Sequence, residues 1–166
     1  MSLRDTLKGT GVALVTPFDS RQEVDFNSLE RILDFVIDGG VEYIVSLGTT
    51  GEAPTISKQE KIDIIKLTYE KVGNRVPVIV GIGGNNTREL IGDLESYPLD
   101  KAIAVLSASP YYNKPSQEGI FQHYKALAKA SPKPVILYNV PARTGRNVSA
   151  ETTIRLAREV ENIIGI

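Results

Sequence analysis

The 166-residue sequence contains no cysteine and only one histidine, His123. The lack of cysteine excludes disulfide scaffolds, thiolate zinc sites and cysteine nucleophiles from these residues. A single histidine argues against a histidine metal cluster and against a Ser/His/Asp triad. We therefore expect no metal, and any chemistry must come from tyrosine, threonine, lysine, arginine or carboxylate side chains.

Long apolar runs and an excess of either charge are missing as well. No stretch approaches the roughly 18 apolar residues that span a bilayer, so we expect a cytoplasmic protein without a membrane partner. Nineteen lysines and arginines face 20 aspartates and glutamates, which leaves a net charge of -1. Because nucleic acid is bound mainly through positive charge, we expect no nucleic-acid partner either.

What the sequence does contain is a repeating pattern of short apolar runs and longer helical stretches. The runs are rich in β-branched residues and are continuous rather than alternating, which is typical of strands buried on both faces. Their starts recur at intervals of roughly 24 to 35 residues, the length of a βα unit. The predicted strands are residues 11–18, 43–47, 78–82, 102–107, 135–140 and 163–166.

Recognisable start signals precede the five helical stretches between these strands. Asp25 is placed as an N-cap, with a stop at Gly39 and Gly40. Ser57 and Glu60 form a capping-box pattern. The remaining three helices are predicted to open at Thr87, Ser116 and Ser149.

This order predicts an α/β protein with a parallel sheet, outer helices and no internal domain boundary. Two architectures fit: an open doubly wound sheet, or part of a (βα)8 barrel. A complete barrel needs about 200 to 250 residues, so length alone favours the open sheet. In both architectures functional groups collect just past the carboxyl ends of the strands, and the unusual polar clusters of this sequence lie there, at residues 16–18, 48–52, 81–86, 109–115 and 138–145.

Each cluster allows a functional and a structural interpretation. The segment GTTGE, residues 48–52, suits a small carboxylate or phosphate, although an ordinary βα turn fits it too. The pair Tyr111 and Tyr112 indicates a binding surface or a subunit contact more than packing. His123 lies on the flank of an apolar helical stripe, and we interpret it as structural.

The last strand-end cluster and the glycine-rich segment need the same comparison. Tyr138 is a proton relay or a core tyrosine, and Arg143 is a carboxylate anchor or a solvated surface residue. Residues 81–86, GIGGNN, lack the Rossmann spacing, which argues against a dinucleotide cofactor there. We expect no cofactor.

Three strand-end motifs, GTTGEAPT, SPYYNKPSQEG and YNVPARTG, resemble those of the dihydrodipicolinate synthase family, pyruvate-dependent class I aldolases of lysine biosynthesis. The resemblance runs in order from GVALVTPF to ENIIGI. It implies the (βα)8 TIM-barrel fold, here an incomplete barrel of about five βα units plus a sixth strand. It also implies a lyase that condenses pyruvate with aspartate 4-semialdehyde through a lysine Schiff base.

The resemblance assigns roles to five residues by motif position. Tyr138 is expected to give and take a proton beside the imine, with Thr49 and Tyr112 completing a hydroxyl relay. Thr50 is expected to bind the pyruvate carboxylate and Arg143 the carboxylate of the semialdehyde. Family members place a tyrosine matching Tyr112 or Tyr111 in the adjacent subunit's site, which implies a homodimer or homotetramer.

The Schiff-base lysine of the family follows directly after IIGI, and the sequence ends at Ile166. We therefore expect residues 1–166 to be the N-terminal part of a single TIM-barrel domain, with the remaining βα units missing, and to be inactive alone. No other lysine in the sequence occupies an equivalent strand-end position.

Other functions stay open at this point. One is a sister aldolase, such as N-acetylneuraminate lyase or a 2-keto-3-deoxy sugar acid aldolase, and others are a non-catalytic half-barrel scaffold and an open-sheet nucleotide-binding module. Lysine feedback is a further possibility. Asn85, Glu89 and Tyr111 match lysine-binding positions of sensitive family members, whereas Lys58 and Lys61 add positive charge that disfavours a cationic effector.

Overall fold

The computed structural model describes residues 3–166, which form two compact units. The first unit contains the residues up to 81 together with residues 100–103. The second contains residues 82–99 and 104–166. Met1 and Ser2 lie outside the described residues.

The described part of the first unit contains three parallel strands and three α-helices. In the sheet β2 pairs with both β1 and β3, so spatial neighbours are also neighbours in sequence. The strands are β1 (Gly11–Ala13), β2 (Tyr43–Ser46) and β3 (Val78–Gly81), and the helices are α1 (Leu3–Thr6), α2 (Phe26–Asp38) and α3 (Lys58–Val72).

Side-chain caps begin the two long helices of this unit, as predicted. The Asp25 carboxylate accepts from the Ser28 amide at 2.9 Å, and α2 ends at the predicted Gly39. Both halves of the predicted capping box form, because Ser57 accepts from the Glu60 amide and Glu60 accepts from the Ser57 amide. The apolar faces of α2 and α3 bury Leu29, Leu33, Ile64, Ile65 and Val72.

The second unit repeats this architecture. Its strand β5 pairs in parallel with both β4 and β6. The strands are β4 (Ala104–Ala108), β5 (Val135–Tyr138) and β6 (Ile163–Gly165), and the helices are α4 (Thr87–Ser96), α5 (Gln117–Ala130), α6 (Pro141–Thr144) and α7 (Ala150–Glu159).

Helix starts in the second unit also follow the sequence signals, with one correction. Ser116 caps α5 and Ser149 caps α7, as predicted. Thr87 is the first residue of α4, but the capping side chain belongs to Asn86, which accepts from the Arg88 amide. This leaves the Thr87 hydroxyl free to bond elsewhere. The core of the unit contains Ile120, Phe121, Tyr124, Ala128, Val135, Leu137, Val148, Leu156, Val160 and Ile163.

Strand ends are where the predictions were least accurate. Strand β1 stops five residues before the predicted end at residue 18. Pro17 has no N–H to donate to a ladder, and Phe18 turns to form an antiparallel bridge with Val24. Strand β2 stops at Ser46 because Leu47 adopts a positive φ of 57°, which a strand does not accommodate.

Strand β4 lies later in the chain than predicted, at Ala104–Ala108 instead of residues 102–107. Strand β5 ends at Tyr138, because α6 begins at Pro141. None of the helices in residues 3–166 combines the length and the apolar character needed to cross a bilayer.

Candidate active site

The loop after β2 carries Thr49 and Thr50 in the first unit. Thr49, Thr50 and Gly51 form a 3-10 turn that begins at Gly48, and Gly51 N donates to Gly48 O at 3.0 Å. The amides of Thr49 and Thr50 precede the first hydrogen bond of the turn, so the turn itself gives them no acceptor. Thr49 is half-buried and Thr50 is exposed. Backbone donors and hydroxyls are therefore presented together, as a small carboxylate requires.

This turn is fixed by close packing inside the first unit. The buried Thr16 hydroxyl donates to Gly51 O at 2.7 Å. Gly81, at the end of β3, passes so close to the turn that an added Cβ would lie 2.3 Å from Leu47 O. Gly81 is thus required by backbone packing. This contact explains the first glycine of GIGGNN without any phosphate.

The loop after β4 carries the two tyrosines in the second unit. We call residues 111–115 the tyrosine loop. Tyr111 is half-buried, whereas Tyr112 is 87% exposed with a φ of +67°. Lys114 also has a positive φ, +50°, so two of the five residues have a backbone angle that non-glycine residues disfavour. The predicted exposure of the pair is confirmed for Tyr112.

Tyr138 and Arg143 lie at the end of β5 and in α6. Tyr138 is half-buried at the last position of β5, and Arg143 is exposed in the final turn of α6. The loop is closed by Gly145 in the left-handed conformation and by the buried Thr144 hydroxyl, which donates to Arg146 O at 2.8 Å. The exposed guanidinium is accessible to a ligand carboxylate.

The polar link between α4 and α5 involves His123. His123 is 4% exposed, and its Nδ1 lies 2.7 Å from the Thr87 hydroxyl. Burial lowers the pKa of His123 to about 4, so the ring is neutral at pH 7. Its Nε2 has no hydrogen-bond partner among the described residues, and the same holds for the buried hydroxyls of Ser107 and Ser109. The structural interpretation of His123 fits this burial.

The three positions matched to a lysine site lie near the start of α4 and in the tyrosine loop. Asn85 accepts through its carbonyl from the Asn113 side chain at 3.0 Å, which ties the tyrosine loop to the segment before α4. Glu89 is exposed in the first turn of α4, and Tyr111 is half-buried.

The predicted residues are thus divided between the units: Thr49 and Thr50 lie in the first, and Tyr112, Tyr138 and Arg143 in the second. No hydrogen bond between the hydroxyls of Tyr112 and Tyr138 is present in the described part of the second unit, so the relay remains a prediction. Each residue lies at or just past the carboxyl end of its strand, where the sequence pattern predicts functional groups.

Comparison with known proteins identifies the family of this chain. A family model described as the dihydrodipicolinate synthetase family matches residues 6–166. The chain belongs to this family. The resemblance inferred from the three motifs is therefore confirmed.

Members of the dihydrodipicolinate synthetase family include curated relatives close to this chain. It is 55% identical over 158 residues to the 4-hydroxy-tetrahydrodipicolinate synthase of Flavobacterium psychrophilum, covering 95% of this chain and 54% of the relative. It is 50% identical over 160 residues to the protein of the same name from Parabacteroides distasonis, covering 96% of this chain and 54% of the relative. The chain spans about half the length of the curated relatives it matches.

A solved structure extends the agreement to the backbone. The chloride-inhibited dihydrodipicolinate synthase from Acinetobacter baumannii, complexed with pyruvate, is 47% identical and matches with a TM-score of 0.92, covering 97% of this chain and 55% of that chain. The fold class predicted from the resemblance, an incomplete (βα)8 barrel with about five βα units and a sixth strand, is confirmed. The open sheet favoured by length alone is wrong.

Sequence reasoning missed the residues that hold the strand-end loops in place. Thr16, Gly81 and Arg146 contact loops 30 or more residues away in sequence. The only available signal was the position of Thr16 and Gly81 at strand ends. Arg146 carried no signal of its own, because it follows the ARTG motif and resembles any solvated arginine.

Proposed function

We propose that the full-length protein is a lyase that condenses pyruvate with aspartate 4-semialdehyde to give 4-hydroxy-tetrahydrodipicolinate. The observation that carries the proposal is 50 to 55% identity to curated synthases of that name over nearly the whole chain. Because the chain spans about half of those relatives, the activity is assigned to the full-length protein.

The proposed chemistry needs a lysine amine and no cofactor. The amine attacks the ketone of pyruvate, water leaves, and a protonated imine forms. The imine withdraws electrons, so the methyl group loses a proton and becomes the enamine carbon that attacks the aldehyde. The amino group of the semialdehyde part then attacks the imine carbon, which closes the ring and releases the lysine amine. We assign the amine to the lysine that the resemblance places after Ile166.

The residues of the chain supply binding and proton transfer. Thr50 and the amides of its turn hold the pyruvate carboxylate, and Arg143 holds that of the semialdehyde. Tyr138 transfers protons beside the imine, with Thr49 and Tyr112 as the other relay hydroxyls. The half-buried position of Tyr138 and the accessible Arg143 guanidinium support these roles.

A coupled assay on the full-length protein tests the activity. Turnover of pyruvate with aspartate 4-semialdehyde is the expected result, whereas cleavage of N-acetylneuraminate or of a 2-keto-3-deoxy sugar acid would identify a sister aldolase instead. Borohydride reduction with pyruvate should add a covalent mass to the full-length protein and none to residues 1–166 alone. Labelling of residues 1–166 would mean that the nucleophile has been misassigned.

Arg143→Ala tests the substrate side of the proposal. Losing a charge-assisted carboxylate contact should lower kcat/KM for the semialdehyde about 10- to 100-fold. Pyruvate labelling by borohydride should stay unchanged. Arg158→Ala, which removes an exposed arginine of α7, is the matched control. A loss of pyruvate labelling as large as the loss in kcat/KM for the semialdehyde would contradict the assigned role.

We also propose a cytoplasmic homodimer or homotetramer, and residues 1–166 as part of a single barrel domain. The 87% exposure of Tyr112 supports a contact with a second subunit. Sedimentation of the full-length protein tests the assembly, and a monomer would contradict it.

Millimolar lysine, added to the assay with and without Glu89→Gln, tests the proposed lysine positions at Asn85, Glu89 and Tyr111.

A further inference from the structure

Contacts within the tyrosine loop are not sufficient to fix its backbone conformation. Tyr112 and Lys114 both have a positive φ, which is unfavourable for residues with a Cβ. The hydrogen bond within residues 111–115 runs from Asn113 N to Tyr111 O at 2.7 Å. A conformation of this kind persists only where surrounding groups fix it.

Most of the fixing contacts come from one side chain, Arg146. Its Nε lies 3.1 Å from Pro115 O and 3.3 Å from Lys114 O, and its Nη2 lies 3.2 Å from Lys114 O. Bonds from a charged, planar guanidinium to backbone carbonyls are stronger and more directional than neutral ones. On the other side of the loop, Asn113 makes one neutral bond to Asn85 O.

Arg146 is itself held in position by its neighbours. The buried Thr144 hydroxyl donates to Arg146 O and accepts from Arg146 N at 3.4 Å. Gly145, with a φ of +70°, allows the Lys114 side chain to pass over it, because an added Cβ would lie 3.0 Å from Lys114 Cε. The segment that presents Arg143 therefore also anchors the tyrosine loop.

We propose that Arg146 is a positioning residue that fixes the conformation of the tyrosine loop and thereby the position of Tyr112. The catalytic consequence rests on the proposed function, in which Tyr112 belongs to the proton relay. The structural part is independent of that function, because it concerns only contacts within the second unit.

Limited proteolysis of the full-length protein tests the structural part. Chymotrypsin cuts after tyrosine, so cleavage after Tyr111 and Tyr112, followed by mass spectrometry, measures how often the loop opens. We expect cleavage of Arg146→Ala about tenfold faster than wild type. Arg146→Lys keeps the charge and can reach one carbonyl, so its rate should be intermediate, while Arg158→Ala should behave as wild type. Cleavage of Arg146→Ala at the wild-type rate would overturn the proposal.

Kinetics on the same variants test the consequence for Tyr112. Arg146→Ala should lower kcat about three- to tenfold with an unchanged KM for pyruvate, and Arg146→Lys should restore part of kcat. An unchanged kcat, or a loss confined to KM, would overturn the positioning role in catalysis. If the wild-type enzyme does not turn over the two substrates, the proposed function fails, while the cleavage rates still decide whether Arg146 fixes the loop.

Discussion

The loop after β2 and the loop after β4 are held in opposite ways. In the first unit, 3-10 turns and the close approach of Gly81 fix residues 48–52, with one buried hydroxyl, that of Thr16, bonded to the backbone. In the second unit, side-chain donors from Asn113 and Arg146 fix the tyrosine loop. A loop held by packing is sensitive to added volume, whereas a loop held by polar side chains is sensitive to the loss of hydrogen-bond donors.

Gly81→Ala should give the largest effect if packing holds the first loop. The new Cβ would lie 2.3 Å from Leu47 O, which is backbone and cannot rotate away. We expect a loss of roughly 3 kcal/mol in the free energy of unfolding, measured by urea titration.

Gly92→Ala is the matched control for this glycine substitution. Gly92 lies inside α4 with no atom near its added Cβ. Because alanine favours the helix, the free energy of unfolding of the variant should rise by about 0.5 to 1 kcal/mol. If Gly81→Ala is tolerated equally well, packing does not hold the loop.

Acid should destabilise the second unit through His123. Burial lowers its pKa in the fold to about 4, against 6.5 for the ordinary side chain. Between these values the unfolded state binds more protons, so the free energy of unfolding rises with pH, and this contribution is complete above about pH 6.5. We expect a loss of about 2 kcal/mol between pH 7 and pH 5, measured by urea unfolding.

His123→Gln should remove most of this pH dependence. Residues 1–166 contain no other histidine, so few other side chains of this segment titrate in that range, and the comparison is made on this segment. The glutamine amide can still bond to the Thr87 hydroxyl. An equally steep pH dependence in the variant would show that another group is responsible.

Thr16→Val probes the polar contact in the first loop. The substitution keeps the side-chain shape but leaves Gly51 O without its 2.7 Å donor. The expected loss is about 1.5 kcal/mol by urea unfolding. Thr16→Ser keeps the hydroxyl, so its loss in the free energy of unfolding should be smaller. A loss as large as that of Thr16→Val would contradict the assignment to the hydrogen bond.

Gly145→Ala should give the smallest effect. Its φ of +70° costs an alanine about 1 kcal/mol, and the added Cβ meets only the flexible end of Lys114. Gly40 has a φ of +88° and open space around an added Cβ, so Gly40→Ala should lower the free energy of unfolding by a similar amount. Gly145→Ala alone should also speed chymotrypsin cleavage after Tyr112, and equal cleavage in both variants would contradict the link between Gly145 and the tyrosine loop.

The sequence predicted the order of strands and long helices because those signals are local. Asp25 and Ser57 cap helices through residues three positions away, and a continuous apolar run needs no distant partner to indicate a buried strand. The positions of the strand ends depended on local backbone features that hydrophobic periodicity does not encode. The positive φ of Leu47 and the missing donor of Pro17 are two of them.

The candidate site could be predicted as positions but not as contacts. Thr49, Tyr112, Tyr138 and Arg143 were found because strand ends collect functional groups. The residues that hold them, Thr16 and Arg146, act over 30 or more positions of sequence through one and three hydrogen bonds, respectively. No spacing or composition signal accompanies such contacts.

Strand pairing within each unit has a consequence for synthesis of the chain. Gly11 pairs with Tyr43 and Ile44 with Val78, while Val105 pairs with Val135 and Val135 with Ile163. Every ladder therefore closes a segment of roughly 30 residues, about one βα unit. Because the ribosome synthesises the chain from its N-terminus, each strand pair can form as soon as the next βα unit has left the ribosome. The nascent chain should gain protease resistance in steps of about one βα unit rather than at once.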